Sequence, residues 1–299
     1  MLLKTPCDSS KFYFSFAKSF LYALLAWSIS FFIPMLNRLL KPILESLPEN
    51  NWLERLWMMA KVDFWKRYYN NKLGVFWAFL NPLLSFAIYY LFFTVIYQNR
   101  IEGFAFYLFS GMLIWQFFSE GTNSGIRVFH LKSYLIQSIQ INTFDLNLAN
   151  CLTAFFAYIF NMGVFLILQF FFGPEFTWNI IYFIPIIFIS FIIVLGVSSI
   201  LSAAYLYFKD MEHLWSVILR AGFFMHPILY DKDLIFEHAP FAMWVSPMVG
   251  ILINAREVIV YGNAPDFLVL GYDLLYGLVL LAIGYLLSKR VSQIILEKL

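Results

Sequence analysis

Charge is what this sequence has least of. Of its 299 residues only 13% are charged, against about 25% in soluble domains, so length cannot be read as a number of soluble domains. Cysteine is nearly absent. Cys7 and Cys151 lie far apart, which excludes a disulfide framework and a thiolate zinc site. The four histidines, His130, His213, His226 and His238, form no HExxH-type pattern, so no metal site is expected. No GxxxxGK[ST] phosphate loop occurs, so the chain does not bind ATP in that manner. The short alternating segments of a membrane barrel are missing. The net charge of +2 is uninformative by itself, and no nucleic-acid partner is expected.

What is present is hydrophobicity. Apolar residues make up 62% of the chain and mean hydropathy is +0.75. Apolar runs recur at the ~20 residues needed to cross a bilayer core of ~30 Å. The expectation is an all-α polytopic membrane protein. Five strong spans are predicted, at residues 75–97, 104–121, 148–172, 180–208 and 267–287. A weaker sixth, 214–230, contains Arg220 and His226. Between residues 234 and 262, Pro240 and Pro247 cut an apolar stretch into pieces too short to span. Such pieces read as external re-entrant or interfacial helices, tolerated where protein or water covers their backbone.

Lysine and arginine set the orientation. With residues 37–74 inside and a six-span core, thirteen basic residues fall inside and three outside (Arg100, Lys232 and Arg256). Both ends of the core are therefore expected in the cytoplasm. The first fifty residues are read as an extension. Within it the uncharged segment 19–36 is either an additional span with an outside N-terminus, or a hairpin or interfacial helix that leaves the N-terminus inside, and both readings stay open.

Residues 51–74 lead into the core. Leu53, Leu56, Trp57, Ala60 and Phe64 recur at helical spacing, and Arg55, Lys61, Lys66 and Arg67 largely avoid that stripe. One apolar aromatic stripe on a basic helix suits the plane of a membrane surface. An interfacial helix over 52–69 is predicted, with an elbow at 70–74 that turns the chain into the bilayer. The domain plan is thus 1–50, 51–74 and 75–299. Pro82 falls about two turns into the first span, where it frees a backbone carbonyl and permits a kink.

Four stretches then recur in a known order. "RYYNNKLGVFWAFLNPLL" (67–84) resembles the entry signature of the membrane-spanning permease subunits of ABC-type polysaccharide exporters, which handle O-antigen, capsule and teichoic-acid chains. "LFSGMLIWQFFSEGTNSG" (108–125) resembles the second span of that family. "YFKDMEHLWSVILRAGFFMHPILYD" (207–231), with Pro227-Ile228, resembles its fourth-to-fifth span junction, and "VSPMVGILINAREVI" (245–259) its external re-entrant helices. The likeness covers about residues 52–299. It departs at Tyr69, where a basic residue is usual, and at Lys209-Asp210, where Arg-Asp is usual. The loop "SYLIQSIQINTFD" lacks the lysines and Phe-Pro of the family.

The resemblance implies a non-catalytic half-transporter of the bacterial inner membrane. Two copies would form the pore for a lipid-linked, O-antigen-like polysaccharide. Separate ATP-binding cassette subunits would hold ATP and Mg, and this chain would bind no cofactor. Its ATPase-facing parts would be the interfacial helix and the loop carrying Arg127, Lys132 and Asn142. Lys66, Arg67 and Lys72 become candidates for guiding the anionic lipid head group. Aromatic residues make up 21% of the chain. They suit stacking on sugar rings, although lipid belts account for most of them. Trp115 and Phe118, near Glu120, are the candidates for the glycan pathway. Arg220, as an intramembrane charge, is read as pairing with a carboxylate or snorkelling to the surface. Asp210 and His213 are read as solvated groups at a helix end, and Arg256-Glu257 as a surface pair. An exporter of drugs or lipids would share the architecture. A membrane enzyme that modifies glycans would need clustered His, Asp or Glu, and here these are scattered.

Overall fold

The computed structural model describes residues 52–68, 76–96, 103–139, 141–238 and 241–298. The segment 19–36, the elbow 70–74 and Lys72 lie outside the described residues. The chain divides into two units, Met1–Arg55 and Leu56–Leu299, and the second is the one described below. Among the described residues all regular structure is helical, as expected of an all-α polytopic membrane protein.

Helix α1 (Trp52–Tyr68) matches the predicted amphipathic helix to within a residue. The middle of its stripe is buried: Leu56 and Ala60 are enclosed, and Trp57 packs edge-on against Phe156 with ring centroids 5.2 Å apart, whereas Leu53 is exposed. Lys66 is exposed. Helix α2 (Phe76–Leu91) contains Pro82 and continues as a π-helical turn, Phe92–Ile96. Helix α3 (Phe104–Gly125) follows Gly103, whose φ of 66° is a left-handed conformation that glycine adopts without cost. Two short helices come next, α4 (Val128–Leu131) and α5 (Ser133–Ile139). Helix α6 (Thr143–Phe172) is capped by Asn142, whose side chain accepts from the Phe144 amide at 3.2 Å. A 3-10 turn, Trp178–Tyr182, leads into α7 (Phe183–Tyr207). Helices α8 (Met211–Met225), α9 (Lys232–His238), α10 (Ala242–Val245), α11 (Pro247–Ile259) and α12 (Phe267–Lys298) complete the chain.

Among the described residues, four helical stretches are long and apolar enough to cross a bilayer: Phe76–Thr94, Thr143–Phe172, Trp178–Tyr207 and Phe267–Val291. Helix α3 has the length, 22 residues, and carries Gln116, Glu120 and Asn123. The segment predicted as span 214–230 is not one helix. Helix α8 has 15 residues and ends at Met225, because His226 takes extended backbone (ψ 152°) and Pro227 follows. The broken stretch 234–262 resolves into short α9, α10 and α11, with Pro247 at the first turn of α11, where its missing N–H costs nothing.

Lipid gives no hydrophobic drive between helices, so close backbone approach and polar bonds hold them together. The α7–α12 seam depends on Gly196 and Gly284. A Cβ on Gly196 would meet the Leu281 amide nitrogen at 2.7 Å, and one on Gly284 would meet the Gly196 carbonyl oxygen at 2.9 Å. Polar bonds cross the other seams. Asn147 donates to Ser202 at 2.7 Å, Asn150 to Ser124 at 3.0 Å and Thr143 to the Ser288 carbonyl at 2.7 Å.

Candidate functional site

A cavity of about 510 Å³ lies among α2, α3 and α6. Helical spacing sets its lining. Leu113, Gln116, Phe117 and Glu120 stand at i, i+3, i+4 and i+7 on α3. Ala154, Ala157, Tyr158 and Asn161 repeat that spacing on α6, and Trp77, Ala78 and Asn81 close the wall from α2. Spacing of this kind puts residues on one helix face.

Asn161 ties two walls together. It is 4% exposed, and its Nδ2 donates to the carbonyls of Ala78 at 3.2 Å and Ala157 at 2.8 Å. Ala78 is four residues before Pro82, so its carbonyl is the one that proline leaves without an intrahelical donor. A side chain from a neighbouring helix supplies the missing bond, which keeps the broken backbone satisfied inside the membrane. The Oδ1 of Asn161 accepts no hydrogen bond.

Of the predicted pathway residues, Glu120 lines this cavity, whereas Trp115 and Phe118 face away from it. Both are buried against α8: the Trp115 ring lies 4.7 Å from His226 and the Phe118 ring 6.2 Å from Trp215. Trp215 also donates to Thr122 at 3.0 Å. The structure therefore separates residues that the sequence grouped. Trp77, Tyr158 and Asn161 were not singled out from the sequence, and Asn81 only as the neighbour of Pro82 at the break in the first span. An asparagine within the apolar run 148–172 was the available signal.

The loop candidates are engaged within the chain. Arg127 pairs with Glu212 at 3.0 Å, Lys132 pairs with Asp63 of α1, and Asn142 caps α6. Lys66 is exposed, and Arg67 belongs to α1. Asp210 and His213 are exposed at the start of α8. Arg220 is exposed too, and its Nε donates to the Ser216 carbonyl at 3.2 Å.

Arg256 and Glu257 are not a surface pair. Neighbouring residues on a helix point about 100° apart, and here that turn sends Arg256 inward. It is 2% exposed and donates to three backbone carbonyls: Tyr107 at 3.1 Å, Ile228 at 3.0 Å, and Pro227. Its guanidinium also lies over the Tyr107 ring. Glu257 points the other way and binds Lys232 and Asn263. Partial burial lowers the pKa of Lys232, but the hydrogen bond and charge of Glu257 outweigh that and raise it overall. Among the described residues no group of three or more His, Cys, Asp or Glu is placed to hold a metal ion.

No family model matches the chain. An O-antigen export system permease protein, RfbA, of Myxococcus xanthus is 27% identical over 202 residues, covering 67% of this chain and 78% of that protein. Two Klebsiella pneumoniae proteins of the same name are 26% identical over 243 residues and 27% identical over 234. They cover 79% and 77% of this chain, and 91% and 86% of those proteins. These relatives bear out the resemblance to the permease subunits of ABC-type polysaccharide exporters. With its long apolar helices, the chain is a multi-pass protein of the bacterial inner membrane.

Proposed function

We propose that this chain is the membrane-spanning subunit of an ATP-driven exporter that moves a lipid-linked, O-antigen-like polysaccharide out of the cytoplasm. The observation that carries the reading is the likeness to three O-antigen export permeases over 78% to 91% of their lengths. The chain acts as a transporter subunit and not as a catalyst. Two copies form the pore, and separate ATP-binding cassette subunits hold ATP and Mg.

The segment 126–142 with α1 is the surface that receives those subunits. Leu131 on it is 64% exposed, and Tyr134 is exposed beside it. The pairing of Lys132 with Asp63 supports joint movement of loop and helix. Lys66, Arg67 and Lys72 guide the anionic lipid head group toward the first span. The test is to delete the protein and follow the cell's lipid-linked glycan. It accumulates inside and disappears from the surface if the reading is right. A deletion strain with normal surface glycan overturns it.

A further inference from the structure

We propose that the seam between α11 and α12 is closed over an uncompensated carboxyl group, that of Asp273, which keeps the seam poised to part during export. The inference rests on the proposed export function and adds a moving part to it.

Asp273 lies about two turns into α12 and is 0% exposed. Among the described residues neither of its carboxyl oxygens has a hydrogen-bond partner. Gly250 of α11 sits directly against it. A Cβ at Gly250 would meet Asp273 Oδ2 at 2.3 Å and Val269 Cγ1 at 2.8 Å, so the missing side chain is what lets α11 cover the carboxyl. One turn further along α11, Asn254 faces the same seam. Its Oδ1 accepts from the Asp266 amide at 2.7 Å, and its buried Nδ2 has no acceptor among the described residues. An acceptor and a donor are thus both left unused on one seam. Each buried polar group without a partner opposes the packed state.

The charges nearby in the chain do not relieve Asp273. Arg256 donates to the Tyr107, Pro227 and Ile228 carbonyls, and Glu257 is engaged with Lys232 and Asn263. Asp266 accepts from the Leu268 and Val269 amides at the start of α12. On its other sides α11 is well fastened. Gln169 of α6 donates to the Ile259 carbonyl at 2.5 Å, and His226 shares a hydrogen bond of 2.8 Å with Ser246, the residue before α11. Helix α12 is held to α7 by the close approach at Gly196 and Gly284. The two helices are therefore gripped by different neighbours, and where they meet at Asp273 the contact is unfavourable. Parting the seam brings water to the carboxyl and restores the hydration that closure removed. Leucine branches as aspartate does but carries methyl groups in place of oxygens. An apolar side chain at 273 would therefore favour the closed seam, because a buried polar group without partners is often replaced by an apolar one with a gain in stability.

The experiment uses spheroplasts that carry the whole export system, in a Cys7→Ser background. Val269→Cys, at a position 6% exposed beneath Gly250, reports parting of the seam to an impermeant maleimide. Asn263→Cys, in the turn before α12, reports access of the reagent. Val269→Cys is expected to label, more slowly than Asn263→Cys. Addition of Asp273→Leu, or of the shorter Asp273→Val, is expected to slow that labelling about tenfold and to raise the thermal midpoint of the purified protein. One of the two variants showing both effects supports the inference, and surface glycan should fall in that strain. The inference is overturned if neither variant shows both effects, failure of both to insert included, because the carboxyl then supports the closed seam. It is also overturned if Val269→Cys is not labelled while Asn263→Cys is, or if neither is. Failure of the export reading is seen separately, as normal surface glycan in the deletion strain.

Discussion

The side-chain amide of Asn161 donates across 3.2 Å to the carbonyl of Ala78, the group that Pro82 leaves without its helical donor. The two halves of this repair sit on different helices, so it is testable as a coupling. Asn161→Leu alone is expected to destabilise the protein by about 1 kcal/mol, the scale of interhelical bonds in membranes. Pro82→Ala restores an N–H for Ala78, and in that background Asn161→Leu should cost clearly less. Thermal unfolding in detergent of the four proteins of the double-mutant cycle measures the difference. Costs that simply add would show that Asn161 does not serve the proline.

The α7–α12 seam makes a second prediction from two glycines. A Cβ at Gly196 has nowhere to go, since it would sit 2.7 Å from a backbone nitrogen, while one at Gly271 meets nothing within 4 Å. Gly196→Ala is expected to lose about 1–3 kcal/mol through forced separation of the helices. Gly271→Ala should be neutral or gain up to ~1 kcal/mol from helix propensity. Membrane-inserted yield and thermal midpoint rank the two. Equal effects at both positions would mean that the close approach is not what holds the seam.

Arg256 predicts a third outcome. It ties α11 to α3 and to the Pro227-Ile228 break after α8 through three backbone carbonyls and its place over the Tyr107 ring. Arg256→Met leaves those oxygens without their donor, at ~1–3 kcal/mol for an unsatisfied buried group. Arg256→Lys keeps the charge but loses the planar fork, so it should not restore the wild-type midpoint. Tyr107→Phe removes only the bond to the Tyr230 carbonyl and should cost ~1 kcal/mol. A Lys variant as stable as wild type would mean that charge alone suffices.

Residues at local spacing were the readable part of this protein. Helix α1 was legible because its stripe, Leu56, Trp57 and Ala60, repeats at helical intervals, and the breaks around α9–α11 were legible because proline marks them. What escaped depends on partners far along the chain. Asn161 gains its meaning from Pro82, 79 positions away, and no local pattern joins the two. Arg256 beside Glu257 reads as a solvated pair until α3 supplies a carbonyl and a ring. Trp115, Phe118 and Glu120 were close in sequence, but helical rotation puts Glu120 on the cavity face and the two aromatics against α8. The end of α8 at Met225 was missed because the apolar run 214–230 continues past Pro227.

Orientation gives the fourth prediction. Thirteen basic residues inside and three outside, counted for a six-span core, predict that the turn before α12 lies outside. Cys151 is buried, so in a Cys7→Ser background a new thiol at Asn263→Cys is the reporter. An impermeant maleimide should label it in spheroplasts and fail to label it in inverted vesicles. Labelling only from the cytoplasmic side would refute a six-span core with both ends inside.

The last prediction concerns Lys66, Arg67 and Lys72. Glycans exported by machines of this kind are commonly joined to lipid through phosphate or pyrophosphate, and that anion has to leave the cytoplasmic leaflet beside the pore. Helix α1 holds Lys66 and Arg67 at its C-terminal end, just before the first span. A positive charge there has two possible uses. As an anchor on anionic lipid it is worth ~1 kcal/mol, and any cation serves. As a phosphate guide it favours Arg, whose fork matches two oxygens at once. Arg67→Lys separates the two uses because it preserves charge and changes geometry. Guidance predicts normal insertion and dimerisation, reduced glycan export, and weaker stimulation of the partner ATPase by lipid-linked substrate. Lys66→Arg should be tolerated, and Arg67→Glu should be worse than Arg67→Lys in export while still inserting, since the other basic residues keep the inside excess. Normal export by Arg67→Lys together with failed insertion of Arg67→Glu would reduce the three residues to a topological anchor.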